Sequence, residues 1–188
     1  INTYAAGNPT VTIASTPTTN YIFNAQTSTS SIEFWTPVTT PNIKSEGTSL
    51  IFHNTVTCTG SISADKATSN LTFNSTLSGG AAITHTSGTI NINKNATILS
   101  YAKAGSNTGS LNFSSGTPVT LTLTGSGTCW DLSSFIPTIS NLTNTLIKLT
   151  NTSASSVTFA GGGQAYGTVW FNRIGTAADN IVTGNNSY

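Results

Sequence analysis

The chain has 188 residues, a formal net charge of +1 and only 6% charged residues, against about 25% in an ordinary soluble domain. More than two positions in five are Thr, Ser or Asn. That balance excludes electrostatic steering to nucleic acid or anionic lipid, and 36% hydrophobic residues are too few for a broad globular core but enough for a thin one spread along an elongated body.

The first 45 residues carry Pro9, Pro17, Pro37 and Pro41 and read as an irregular or capping segment. Residues 8–16, Asn-Pro-Thr-Val-Thr-Ile-Ala-Ser-Thr, read as a strand available for donation to a neighbouring subunit. Along Ser31-Ile32-Glu33-Phe34-Trp35, Ile32 and Phe34 take one face and Glu33 and Trp35 the other.

From residue 46 to 188 the pattern becomes periodic. Ser49-Leu50-Ile51-Phe52, Asn70-Leu71-Thr72-Phe73, Thr89-Ile90-Asn91-Ile92 and Ser110-Leu111-Asn112-Phe113 share one polar, apolar, variable, apolar order, and they follow one another at a nearly constant step. Each is a strand with one buried face. Between them lie second β-like runs, Thr55-Val56-Thr57, Ala82-Ile83-Thr84, Thr97-Ile98-Leu99 and Val119 to Leu123, with Gly, Asn and Ser in the gaps. Asp131 to Leu146 is the least regular stretch; Pro137 stops any helix begun at Asp131, so the stretch reads as a loop or an excursion. Beyond it, runs at Thr145, Ser156, Thr168 and Asn180 recur at about half the earlier period.

A period near 20 with two or three short strands predicts an all-β fold, a right-handed parallel β-helix or solenoid with coils of about 20 residues. The competing fold is an antiparallel β-sandwich, which also has a short strand about every 8–12 residues. The solenoid phase brings Lys44 to Asp65 and Glu46 to Lys66 on adjacent coils. It also sets Cys58 and Cys129 more than three coils apart, too far for a disulfide, so two buried free thiols are expected; a sandwich would let them meet. No initiator Met and no apolar run long enough to span a membrane occurs. The chain therefore reads as processed, or as part of a longer elongated protein without a membrane span.

The phrase Ser156-Val157-Thr158-Phe159-Ala160-Gly161-Gly162-Gly163-Gln164-Ala165-Tyr166-Gly167-Thr168-Val169-Trp170-Phe171-Asn172-Arg173, followed by Asn180-Ile181-Val182-Thr183-Gly184-Asn185-Asn186-Ser187-Tyr188, resembles the repeat unit of Ser/Thr/Asn-rich β-helix proteins of tailed bacteriophages and environmental bacteria. The match covers roughly residues 110–188 and, more loosely, 49–109. The resemblance implies a fibre, spike or adhesin, extracellular or on a virion surface. It also implies partners that are copies of the chain or other fibre subunits, a trimer as in many phage spikes, covering an otherwise open C-terminal strand edge.

The chemistry-bearing residues are few. Glycoside hydrolysis needs two carboxylates about 5–10 Å apart, and of the five acids Glu46 and Asp65 already have Lys partners, so no catalytic residue is assigned. His53 and His85 stand alone, without a metal-ligand spacing, and Gly161-Gly162-Gly163 lacks the Lys-Ser/Thr of a phosphate loop; no metal and no cofactor are expected. The ligand-binding candidates are Glu33, Trp35, Tyr166, Trp170 and Arg173, because outward Trp and Tyr rings stack on sugars or anchor protein interfaces. The N-x-Ser/Thr sequons are as many as this composition yields by chance. The expectation is a non-enzymatic structural or adhesive component with host surface glycans as its ligand. The alternatives are a subunit of a strand-donated bacterial or archaeal filament and a polysaccharide-degrading β-helix enzyme.

Overall fold

Period-two alternation decides which side chains face inward, and the coil repeat stacks them. The computed structural model describes residues 21–23, 31–47, 49–106, 108–152, 154–173 and 179–188; the candidate donor strand at residues 8–16 lies outside them. The described chain is a β-solenoid of about seven turns with about 21 residues per coil. Every strand pairing among these residues is parallel, which rules out the antiparallel sandwich.

Each coil has three faces. The first is a six-stranded sheet of β2 (Ser31–Phe34), β4 (Ser49–Phe52), β6 (Asn70–Phe73), β9 (Gly88–Ile92), β12 (Gly109–Phe113) and β15 (Thr138–Ser140). The second stacks the starts of β3 (Val38–Ser45) and β5 (Val56–Ala64) with β7 (Leu77–Ser78), β10 (Ala96–Ile98), β13 (Val119–Leu123), β16 (Thr145–Leu149) and β18 (Thr168–Phe171). The third stacks β1 (Tyr21–Phe23) and the ends of β3 and β5 with β8 (Ala82–His85), β11 (Ser100–Lys103), β14 (Gly127–Asp131), β17 (Val157–Ala160) and β19 (Asn180–Thr183). The four segments read from the sequence as one repeat are β4, β6, β9 and β12, and they stand in register: Leu50 on Leu71 on Ile90 on Leu111. The later, closer-spaced runs are β16, β17, β18 and β19, alternating between the second and third faces. The half-period is therefore the step from one face to the next.

The prolines of the N-terminal region do not keep it out of the ladders. Residues 31–45 form β2 and β3 of the first coil. Pro41 sits inside β3 where the register shifts between Thr40 and Asn42, at the corner between two faces. A residue without an N–H is tolerated at such a break because no ladder bond is lost there. Gly60 occupies the matching corner of β5, and a Cβ on it would come within 2.6 Å of the Pro41 carbonyl oxygen. Of the irregular stretch from Asp131 to Leu146, residues 132–137 form an excursion, and β15 at Thr138–Ser140 then rejoins the first sheet beside β12. Phe135 and Ile136 project from the excursion, Leu132 is buried, and a 3-10 turn at Leu142–Asn144 returns the chain to β16.

The core is a set of columns. Phe34, Phe52 and Phe73 stack face to face on the first sheet, with centroids 4.7 and 5.2 Å apart. On the third face Tyr101, Trp130 and Phe159 stack at 4.8 and 6.0 Å. Outside, amides run in ladders: Asn112 donates to Asn91, Asn91 to Asn70, and Asn93 to Asn74, at 2.8–2.9 Å. Asn112 and Asn91 stand in register, whereas Asn91 reaches Asn70 diagonally, its register partner being Thr72; these bonds from coil to coil give the uncharged surface its order. Lys44 bonds Glu46 within its coil and Asp65 one coil away at 3.2 Å, the cross-coil pair that the phase predicts. Cys58 and Cys129 are buried free thiols, on coils about 14 Å apart along the axis at about 4.8 Å per coil. Burial pushes both up to about 11.

Candidate functional site

The alternation of β2 carries Glu33 outward, and Trp35 follows on the same side, 53% exposed. Phe34 pairs with Phe52 across the coil, so the next residue of each coil, Trp35 and His53, must also meet. Their rings stack at 3.8 Å and 10°. His53 Nε2 lies 3.1 Å from Glu33 Oε2, and the Asn54 amide donates to the Trp35 carbonyl at 3.4 Å. The result is a half-exposed indole held flat by an imidazole, with a carboxylate beside it. Such a surface offers a ring face to an apolar sugar face and an acceptor to a sugar hydroxyl. Strand alternation finds Glu33 and Trp35 but misses His53. The available signal is the coil step: His53 follows Trp35 at the same spacing as Phe52 follows Phe34.

Trp170 is the second half-exposed indole, 48% exposed on β18. Its in-register neighbour on β16 is Lys148, whose Nζ lies over the ring 4.6 Å from its centroid. The same outward column continues through Thr122 and Thr97. A cation over the ring face fixes the indole and biases the site toward ligands carrying acceptor oxygens. Sequence reading misses this pair too, although Lys148 and Trp170 stand one coil apart.

Tyr166 and Arg173 have other work. Tyr166 is buried at 3% exposure and is not a surface ring. Its hydroxyl accepts from Trp130 Nε1–H at 2.9 Å and donates to the Gly161 carbonyl at 2.7 Å, and burial holds its phenol well above the usual range. The Gly161-Gly162-Gly163 turn folds the chain inward before Tyr166, so alternation counted from β18 does not apply to it. Arg173 donates to the carbonyls of Ser155, Asn151 and Asp179 and to the Asn180 side chain at 2.6–3.3 Å. It ties the loops of the last two coils together, a task for which a five-donor guanidinium is suited. Trp35 and Trp170 lie on different faces, six coils or about 29 Å apart along the axis, so they form two sites. The three acids nearest to a catalytic reading each have a basic partner: Glu33 has His53, and Glu46 and Asp65 share Lys44. Among the described residues no group of three or more His, Cys, Asp or Glu is placed to hold a metal.

Comparison of the chain with protein-family models, with curated proteins and with solved structures returns no match.

Proposed function

We propose that this chain is a non-enzymatic structural and adhesive segment of an extracellular or virion-surface fibre, and that Trp35 and Trp170 are the rings that contact surface glycans. One observation carries the reading. Both exposed indoles are already immobilised, one on His53 and one under Lys148, on a rigid body otherwise covered with hydroxyls and amides. A ring that is fixed before binding loses little rotamer entropy on stacking. The hydroxyl columns alone exchange bonds to water for equivalent bonds to sugar and gain little, so affinity must concentrate at the rings.

A glycan microarray probed with the purified chain, followed by calorimetric titration of the best hit, tests this. Trp35→Ala or Trp170→Ala should weaken binding by about 2 kcal/mol, roughly thirtyfold, as for a stacking hot spot. Binding unchanged in both variants, or no glycan bound at all, would end the adhesive reading. Antibody labelling of fibres on intact particles or cells tests the structural one.

A further inference from the structure

We propose that His85, Tyr101 and Lys103 form an acid-sensitive latch between the third and fourth coils, which releases that corner of the solenoid when His85 takes a proton.

The fold puts a titratable ring where water cannot reach it. Alternation along β8 sends Ile83 and His85 inward, and His85 has no exposed surface. Its Nε2 lies 3.1 Å from the Gly88 carbonyl and its Nδ1 lies 2.8 Å from Tyr101 Oη. A carbonyl can only accept, so Nε2 carries the hydrogen and Nδ1 accepts from the phenol. The ring is therefore neutral and fully bonded. A second proton, on Nδ1, would face the O–H that now donates to it. The phenol would have to turn and give up that bond. The charged neighbour adds to the conflict: Lys103 stands in register with His85 on the next coil.

Among the described residues, the surroundings offer nothing to neutralise an imidazolium. β11 presents Tyr101 and Lys103. β5 presents Ala64, β9 presents Gly88, and β12 presents Gly109, none of them titratable. Asp65 and Lys66 lie at the adjoining turn, and Asp65 is bonded to Lys44. The ring also packs closely against Gly109, where a Cβ would lie 2.7 Å from His85 Nε2. Burial lowers the pKa of His85 below its ordinary value, and Lys103 acts in the same direction, against the Gly88 and Ser87 backbone bonds.

The linkage has a definite sign. The unfolded chain takes up a proton below about pH 6.5, where the folded chain still excludes it. Stability is full above that pH and falls as pH drops below it. The loss is local. Lys103 Nζ donates to the carbonyls of Thr86, Ala104 and Gly105 at 2.8, 3.1 and 3.2 Å, so the 85–88 and 103–105 turns are tied together and open together.

Hydrogen exchange by mass spectrometry on the full chain, at about pH 7.5 and about pH 5 with intrinsic rates corrected, reads the latch directly. Amides of residues 82–89 and 100–105 should lose protection at the lower pH, by about tenfold for each pKa unit of depression, while residues 119–123 hold theirs. In residues 82–89 and 100–105 His53→Gln should keep the wild-type pH dependence of protection, and His85→Gln should lose it. Unchanged protection in the wild type, or an equal loss in His85→Gln, overturns the proposal. If His85→Gln does not fold, the imidazole nitrogen signals of the wild type decide. His85 must remain the neutral Nε2–H tautomer down to the pH at which protection is lost. A His85 that protonates at the ordinary pH with its amides still protected overturns the latch.

Discussion

Replacing Tyr166 by Phe separates a buried structural tyrosine from a surface ligand contact. The ring stays, and with it the edge contacts to Phe159 and Trp130 at 5.0 and 6.4 Å. Only the hydroxyl leaves. Trp130 is wholly buried, so its indole N–H loses its acceptor in a place water does not reach. The Gly161 carbonyl loses its 2.7 Å donor and keeps the long 3.4 Å bond from Gln164 N. An orphaned buried donor costs about 1–3 kcal/mol and a half-satisfied acceptor less, so a loss of about 2–4 kcal/mol is expected. Urea unfolding followed by circular dichroism measures it, with hydrogen exchange in residues 127–131 and 157–161 locating it. Trp130→Phe completes a cycle. With both polar partners gone the double variant should cost about 1–3 kcal/mol less than the sum of the two. A Tyr166→Phe protein within about 0.5 kcal/mol of wild type, which is the behaviour of a surface site, would refute the buried bond.

Three other outcomes follow from local geometry. Gly79→Ala forces a Cβ at φ +99 against the Cys58 backbone carbonyl and should cost at least about 2 kcal/mol, whereas Gly116→Ala meets nothing within 4 Å and should gain about 0.4–1 kcal/mol; paired thermal melts compare them. Lys103→Met leaves three turn carbonyls without their shared donor and should lower stability by about 2–4 kcal/mol, read by urea titration. Both thiols, buried and pushed up to about 11, should stay unreactive to a thiol reagent at neutral pH until denaturant is added, when two equivalents react; fast labelling of the native chain would contradict their placement.

Much of this fold is legible in the sequence because a solenoid writes its register as a repeat. Leu50, Leu71, Ile90 and Leu111 are spaced by one coil and occupy one column, and the same arithmetic predicts the Lys44–Asp65 pair and the separation of the cysteines. It works equally for Glu33 and Trp35, whose outward direction follows from two inward neighbours. The count breaks where the chain leaves the strand. Tyr166 follows a glycine turn that resets the alternation. The excursion after Asp131 lengthens one coil, so that Ser110 finds its register partner only at Thr138, and β15 has no readable phase. The prolines before residue 45 hide β3 because its corner, where Pro41 sits, looks like a loop at the level of composition. Pairs such as Trp35–His53 and Lys148–Trp170 become readable only once the local coil is known to be shorter than the average in the first case and longer in the second.

The two aromatic columns also explain where a quasi-one-dimensional body would part. Each coil contacts only its neighbours, so stability is a sum of coil-to-coil interfaces and the weakest one opens first. Phe34, Phe52 and Phe73 bind the first three coils on one face, and the column then passes to Ile92 and Phe113. Tyr101, Trp130 and Phe159 bind the fourth to sixth coils on another, and below Tyr101 the column holds Ile83. Between the third and fourth coils neither column stacks ring face on ring face. Besides the parallel backbone ladders, what spans the gap is aliphatic packing, the bonds of Asn91 to Asn70 and Thr72 and of Asn93 to Asn74, the Lys103 bond to the Thr86 carbonyl, and the hydrogen bond and edge contact between Tyr101 and His85. The titratable group thus sits at an interface where neither column stacks ring face on ring face, and its protonation is opposed there by ladder bonds and aliphatic packing and not by a ring stack.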